Sequence, residues 1–215
     1  MSNRPHRLCR DIRSGETTAL AEGGQMVEEA HVIAGKDLDR YWQRRDALEE
    51  FHKLFNEQGV VDERAIAIVG VTFLDSILEH TLINFMIDDE KEVSKLLGLD
   101  RPLGTFSSRV TAAYCLGLIC KTVRDDLRIV GRIRNKFAHE LQASFDLEPL
   151  RGWCLSLRWH EFSMMMKAPS DATPRDIFKV GVNQLICYLD GLAGVARLER
   201  RKIRADDKDG PTLLR

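Results

Sequence analysis

The residues with the types and spacing to do chemistry lie in one short segment, from Arg132 to Glu140. Within it, Arg134, Asn135 and His139 place a cation, an amide and an imidazole inside six positions. An arginine holds phosphate oxygens by charge-assisted hydrogen bonds, and a histidine exchanges protons near neutral pH. An amide can orient either group by a hydrogen bond. The segment therefore predicts a site that handles a phosphate group.

A predicted helix over residues 121–138 carries this segment. Its apolar residues recur every three or four positions and form one stripe: Val123, Leu127, Val130, Ile133 and Phe137. On an unbroken helix, five residues separate Arg134 from His139 by about 140°. Both reach one ligand only if the helix unwinds near Ala138 or if a second subunit supplies the partner group. The alternative role is structural, with Arg134 and Asn135 bonded to free carbonyls and His139 capping the last turn.

The order of Arg134, Asn135 and His139 resembles the Arg-(polar)-x4-6-His motif of the HEPN superfamily. These all-α domains include metal-independent ribonucleases and non-catalytic members. The resemblance implies a homodimer in which two motifs meet across a cleft. It also implies that the histidine handles the proton of the RNA 2′-hydroxyl or of the leaving oxygen, while the arginine holds the phosphate. Such an enzyme would be a toxin or a defence ribonuclease.

A second stretch, residues 102–119, resembles the mannitol operon repressor family and its small helical relatives. In that family a Pro-Leu-Gly-x-x-Ser-x-Arg segment opens a helix that ends in Tyr-x-Leu-Gly. The matching residues are Pro102, Leu103, Gly104, Ser107, Arg109, Tyr114 and Gly117. This resemblance implies a role in transcription regulation. From the residues alone, Thr105 or Ser107 is predicted to cap the start of this helix, and Gly117 its end. Arg109 predicts a surface ion pair.

The hydrophobic pattern predicts an all-α bundle of five to seven helices, with residues 62–88 as its central buried helix. Residues 37–200 are predicted to form the single helical domain. Residues 1–36 lack a sustained apolar period, which predicts a disordered basic arm, and residues 201–215 are predicted to be a charged tail. The basic run over residues 197–204 predicts a solvated helix end, with a phosphate-facing patch as the alternative.

Composition and absent motifs exclude several other classes. The 215 residues carry a net charge of only -1, so contact with nucleic acid requires a local basic patch. No apolar run reaches the roughly 20 residues of a membrane span. Five cysteines without CxxC spacing predict reduced thiols in a cytoplasm, with Cys115 and Cys120 buried. The spacings of histidine, cysteine and glycine predict neither a metal site nor a cofactor.

Two functions follow from these observations. The first is a cytoplasmic helical regulator of the mannitol operon repressor type, which acts through a protein partner or through RNA or DNA. It would work without a classical helix-turn-helix, because no segment after a short turn shows an exposed, basic second helix. The second is a HEPN-type endoribonuclease that uses Arg134, Asn135 and His139, with an antitoxin as its partner. The regulator ranks first because two stretches support it. The geometry of Arg134 and His139, together with an apolar face of the last helix, predicts a homodimer.

Overall fold

A computed structural model describes residues 62–98, 100–159 and 170–204, together with residues 46, 48, 49, 51 and 55. Within these residues all regular structure is helical, which confirms the predicted all-α fold. The helices whose bounds fall within the described residues are α1 (Glu63–Phe85), α2 (Glu90–Leu97), α3 (Phe106–Cys115), α4 (Lys121–His139), α5 (Leu150–Leu155) and α6 (Pro174–Leu198). The predicted arm over residues 1–36 lies outside the described residues, as does most of the predicted tail.

The long helices α1 and α6 pack against each other and form the centre of the bundle. Helix α4 packs against both of them, and α3 covers α1 and α4 at one side. The shared core is made of fully buried aliphatic side chains that include Leu74, Leu78, Leu127, Leu185 and Ile186. Burial of apolar surface on this scale is the main stabilising contribution to a helical bundle.

Three phenylalanines fix the inward face of α4. The ring of Phe137 lies 4.7 Å from that of Phe145, which in turn lies 5.1 Å from that of Phe178 on α6. All three side chains are completely buried. Because α4 is held on this side, the opposite side of the helix is turned outward.

Side-chain caps start several of the helices. The Asp62 carboxylate accepts a hydrogen bond from the Arg64 amide at the start of α1. Thr105 forms a reciprocal capping box at the start of α3, and Thr173 forms one with Asp176 at the start of α6. Hydrogen bonding from Thr173 holds the pKa of Asp176 below its ordinary value.

Helix α1 has the length and composition of a membrane-spanning helix, with a mean hydropathy of 1.6 in its most apolar window. Half of that window is buried inside the bundle. Its carboxylates Asp75 and Glu79 form ion pairs with Arg109 of α3. This environment is that of a core helix, as the sequence predicts for residues 62–88, although the helix already ends at Phe85.

The basic segment after α6 folds back onto the C-terminal end of α1. The Arg201 amide donates to the Phe85 carbonyl at 2.8 Å. Arg200 donates to the Asn84 carbonyl at 3.2 Å and forms a 2.7 Å ion pair with Asp88. Cations are favourable at a helix C-terminus, where carbonyl groups lack partners within the helix. Arg200 and Arg201 are thus part of the fold, where the sequence predicts a solvated helix end.

Candidate functional site on helix α4

Helix α4 continues without a break through the predicted site. It runs from Lys121 to His139, and the Glu140 amide still donates to the Lys136 carbonyl at 3.0 Å. The unwinding near Ala138 that would bring Arg134 and His139 together does not occur. The two side chains therefore remain about 140° apart around the helix axis.

The structure brings two of the three predicted site residues together. Asn135 and His139 are exposed and line an open cleft of about 310 Å³. The other lining residues are Arg132, Lys136, Glu140 and Trp153. Arg134 is half-buried and is not part of this lining. One protomer therefore presents an amide and an imidazole to the cleft, and its nearest cations are Arg132 and Lys136.

The predicted structural role of these residues would require contacts with backbone carbonyls. Among the described residues, the side chains of Arg134, Asn135 and His139 form no hydrogen bond and no ion pair. His139 does lie in the last turn of α4, where a protonated imidazole would interact favourably with the helix dipole. The structure thus leaves the polar atoms of Asn135 and His139 accessible to a ligand.

The cleft has one wall from α4 and one from α5. The Arg132 guanidinium stacks 4.3 Å from the centre of the Trp153 ring. Lys136 forms an ion pair with Glu140 at the other side. Trp153 is held in place because its neighbours Leu150 and Cys154 are buried in the core. Sequence reasoning missed Arg132 and Trp153, since their proximity depends on how α5 packs.

The outward side of α4 carries a row of polar residues that we call the α4 stripe. It consists of Lys121, Arg128, Arg132, Asn135 and His139, all of which are exposed. The first three are cations, and α4 follows α3 after a short turn over residues 116–120. The premise that no helix after a short turn has an exposed basic side is therefore wrong. The spacing of these residues along the chain could have predicted this basic side of α4.

Three residues of the mannitol-repressor-like stretch have structural roles. A Cβ atom at Gly104 would lie 2.6 Å from the Gly98 carbonyl oxygen, so a larger residue would displace the turn before α3. Gly117 has a φ of 76°. It ends α3 in a Schellman motif, in which the Gly117 amide donates to Tyr114 and the Leu118 amide donates to Ala113. This confirms the predicted C-terminal cap.

Arg109 is the third of these residues, and the structure corrects its predicted environment. Its side chain is 8% exposed and forms ion pairs with Asp75 at 2.7 Å and Glu79 at 3.1 Å. It also donates to the Leu97 carbonyl of α2. The guanidinium of the predicted surface ion pair is therefore buried, its two carboxylates are 27% and 35% exposed, and the contact joins three helices. The Ser107 side chain is not the cap of α3, because Thr105 has that role.

Other residues of this stretch lie at the surface. Pro102 and Ser107 are exposed, and Leu103 is half-buried against the core. The Tyr114 ring is 37% exposed and lies under the Arg124 guanidinium, 4.3 Å from its carbon. None of these positions lines the cleft with Asn135 and His139, so the two sequence motifs do not meet there.

The cysteines differ from the sequence prediction in part. Cys115 and Cys120 are exposed rather than buried, because they lie at the ends of α3 and α4 beside the turn. Cys154 is buried, and this burial raises the pKa of its thiol to about 12. All four described cysteines are free thiols. Within the described part of the chain, no three metal-ligating side chains lie together.

Comparison with known proteins finds one informative similarity. No protein-family model and no curated protein matches this chain. A chain in the X-ray structure of the MtlR–HPr complex from Escherichia coli matches with a TM-score of 0.52 and 18% identity. The match covers 66% of this chain and 97% of that chain. This chain therefore has an all-α fold related to that of MtlR, the mannitol operon repressor.

Proposed function

We propose that this chain is a cytoplasmic regulator of the mannitol operon repressor family, which controls transcription through contact with a protein partner. The fold similarity to MtlR carries this proposal, because it extends over nearly the whole of that chain. The matched structure is a complex of MtlR with HPr, so a related fold binds a protein. The roles of Gly104, Arg109 and Gly117 in shaping the fold support the same family from the sequence.

Deletion of the gene followed by transcript sequencing tests the regulatory role. We expect raised transcription of one operon, restored by the wild-type gene on a plasmid. Titration calorimetry against the HPr protein of the same organism tests the partner, with saturable binding as the expected result. An unchanged transcript profile together with no binding of HPr would contradict the proposal.

A HEPN-type, metal-independent endoribonuclease is a second candidate. The observation that favours it is the exposed His139 beside Asn135 in an open cleft. In this hypothesis His139 transfers the proton of the RNA 2′-hydroxyl or of the leaving oxygen. Arg134 of the partner subunit would hold the phosphate, since Arg134 of the same chain lies outside the cleft.

Replacement of His139 by alanine separates this candidate from the regulator. If the cleft is catalytic, His139→Ala should slow cleavage of single-stranded RNA by about 10²–10⁴-fold, because a general acid or base is lost. The melting temperature should stay unchanged, since the side chain is exposed. Labelled RNA incubated with both proteins, with and without EDTA, provides the measurement. Intact RNA after incubation with the wild-type protein would exclude the nuclease.

A further inference from the structure

The α4 stripe forms a straight row on the surface of the molecule. Its residues follow one another at spacings of seven, four, three and four positions. At 100° per residue, Lys121, Arg128, Arg132 and His139 fall within about 40° of one another around the axis. The helical rise makes the row about 27 Å long. Such a row can contact an extended ligand at several points at once.

The charge of the row is positive. Among the described residues, Lys121, Arg128 and Arg132 have no acidic partner. The cations beside the row differ, because Arg124 pairs with Asp125 and Lys136 pairs with Glu140. The uncompensated charge is thus concentrated on the row itself, although the whole chain has a net charge of only -1. A row of uncompensated cations attracts polyanions.

Two stacked pairs of arginine and aromatic side chains flank the row. Arg132 covers the Trp153 ring and Arg124 covers the Tyr114 ring, each at 4.3 Å. Stacking restricts the arginine rotamers, so less entropy is lost when Arg132 binds a phosphate. Arg132 is itself exposed, and unpaired RNA bases stack on arginine guanidinium planes as well as on aromatic rings.

The end of the row suits an unpaired nucleotide. At its C-terminal end the row opens into the shallow cleft between α4 and Trp153 of α5. An unpaired nucleotide can place its ribose in such a cleft, whereas the bases of a duplex are held inside the double helix. Asn135 and His139 in this cleft offer donors and acceptors for a 2′-hydroxyl, which RNA has and DNA lacks.

We propose that the α4 stripe binds single-stranded RNA, with Lys121, Arg128 and Arg132 on successive phosphates and the Asn135–His139 end on the ribose. This function goes beyond contact with a protein partner. Binding of RNA to the stripe requires no cleavage, so the absence of nuclease activity would not contradict this proposal.

Fluorescence anisotropy with a labelled ten-nucleotide oligouridine measures this binding. The double variant Arg128→Glu/Arg132→Glu should weaken binding at least tenfold at low salt. The logarithm of the wild-type binding constant should fall with the logarithm of salt concentration with a slope of about -2, for three phosphates on a single strand. A flat salt dependence of wild-type binding would overturn the proposal.

A matched control carries the same change of charge at another place. Lys91→Glu/Arg101→Glu replaces exposed cations in α2 and in the turn that follows it. This control should alter binding by less than twofold. Equal weakening by both double variants would show a general charge effect and would overturn the assignment to the stripe. If the glutamate double variant misfolds, Arg128→Gln/Arg132→Gln removes the same two charges without reversing them. Circular dichroism checks that each variant is folded.

Three further probes decide the class of ligand. Oligothymidine of the same length should bind at least threefold more weakly than oligouridine. Duplex DNA and polyglutamate of equal charge should both compete poorly with the labelled RNA. Equal binding of the thymidine strand, or efficient competition by duplex or polyglutamate, would overturn the proposal in favour of DNA or an acidic protein.

Discussion

At the scale of single residues, Arg109 determines how three helices meet. Its guanidinium contacts two carboxylates of α1 and a carbonyl of α2, although it belongs to α3. Removing this arginine leaves two partly buried carboxylates without a compensating charge. The stability of the contact between α1, α2 and α3 therefore depends on this side chain.

Arg109→Ala should lower the free energy of unfolding by about 2–4 kcal/mol. The exposed Arg101, in the turn before α3, offers a control of the same type. Arg101→Ala should change stability by less than about 0.5 kcal/mol. Urea denaturation followed by circular dichroism measures both values. Equal stability of the two variants would refute the structural role of Arg109.

The sequence shows which residues to single out more readily than it shows whether they are buried. The sequence singles out Arg109 but not its burial, because burial depends on which helices meet. Asp126 shows the same limit, since its carboxylate is 1% exposed and accepts the amides of Arg158 and Trp159. These partners are backbone groups more than 30 positions away. No spacing in the sequence marks such a contact.

At the scale of elements, the sequence predicts the helices well and the site only in part. Apolar periodicity and capping residues locate α1, α3, α4 and α6 to within a few positions, since both signals are local. Asn135 and His139 share a cleft as neighbours on one helical turn. Trp153 could not be assigned to it, because the approach of α5 to α4 is set by tertiary packing.

Two glycines allow the effect of a Gly→Ala substitution to be compared at the end of a helix and in its interior. Gly117 adopts a φ of 76° at the end of α3, with no atom within 4 Å of an added Cβ. Gly117→Ala should therefore destabilise the fold by about 1–2 kcal/mol through backbone conformation alone.

Gly191 provides the matched control, because it lies within α6 and an added Cβ also meets no atom within 4 Å. Gly191→Ala should stabilise the fold by about 0.5–1 kcal/mol, since alanine favours a helix. Thermal melts of both variants measure the two shifts. Shifts of the same sign would contradict this account.

At the scale of the whole molecule, the homodimer stays a prediction. Arg134 and His139 of one protomer cannot meet, so a composite site needs a second copy. Leu141, Leu147 and Leu155 are 92%, 56% and 53% exposed, and we propose that a second copy covers them.

Light scattering coupled to size exclusion measures the oligomeric state. At tens of micromolar we expect a mass of about twice the 24.5 kDa of the chain. Dilution to nanomolar concentration should shift the population toward the monomer. A monomer mass at the higher concentration would remove the composite nuclease site and leave the α4 stripe as a site within one chain.

The pairing of α1 with α6 has a consequence for biosynthesis. Asn84 of α1 donates to the carbonyl of Ala193, which is translated 109 residues later. At about 5–20 residues per second, the ribosome needs roughly ten seconds to make this interval. During that time the apolar side of α1 has left the exit tunnel without the helix that covers it. The nascent chain therefore presents a binding site to chaperones until α6 emerges, and translation pauses before that point would favour aggregation.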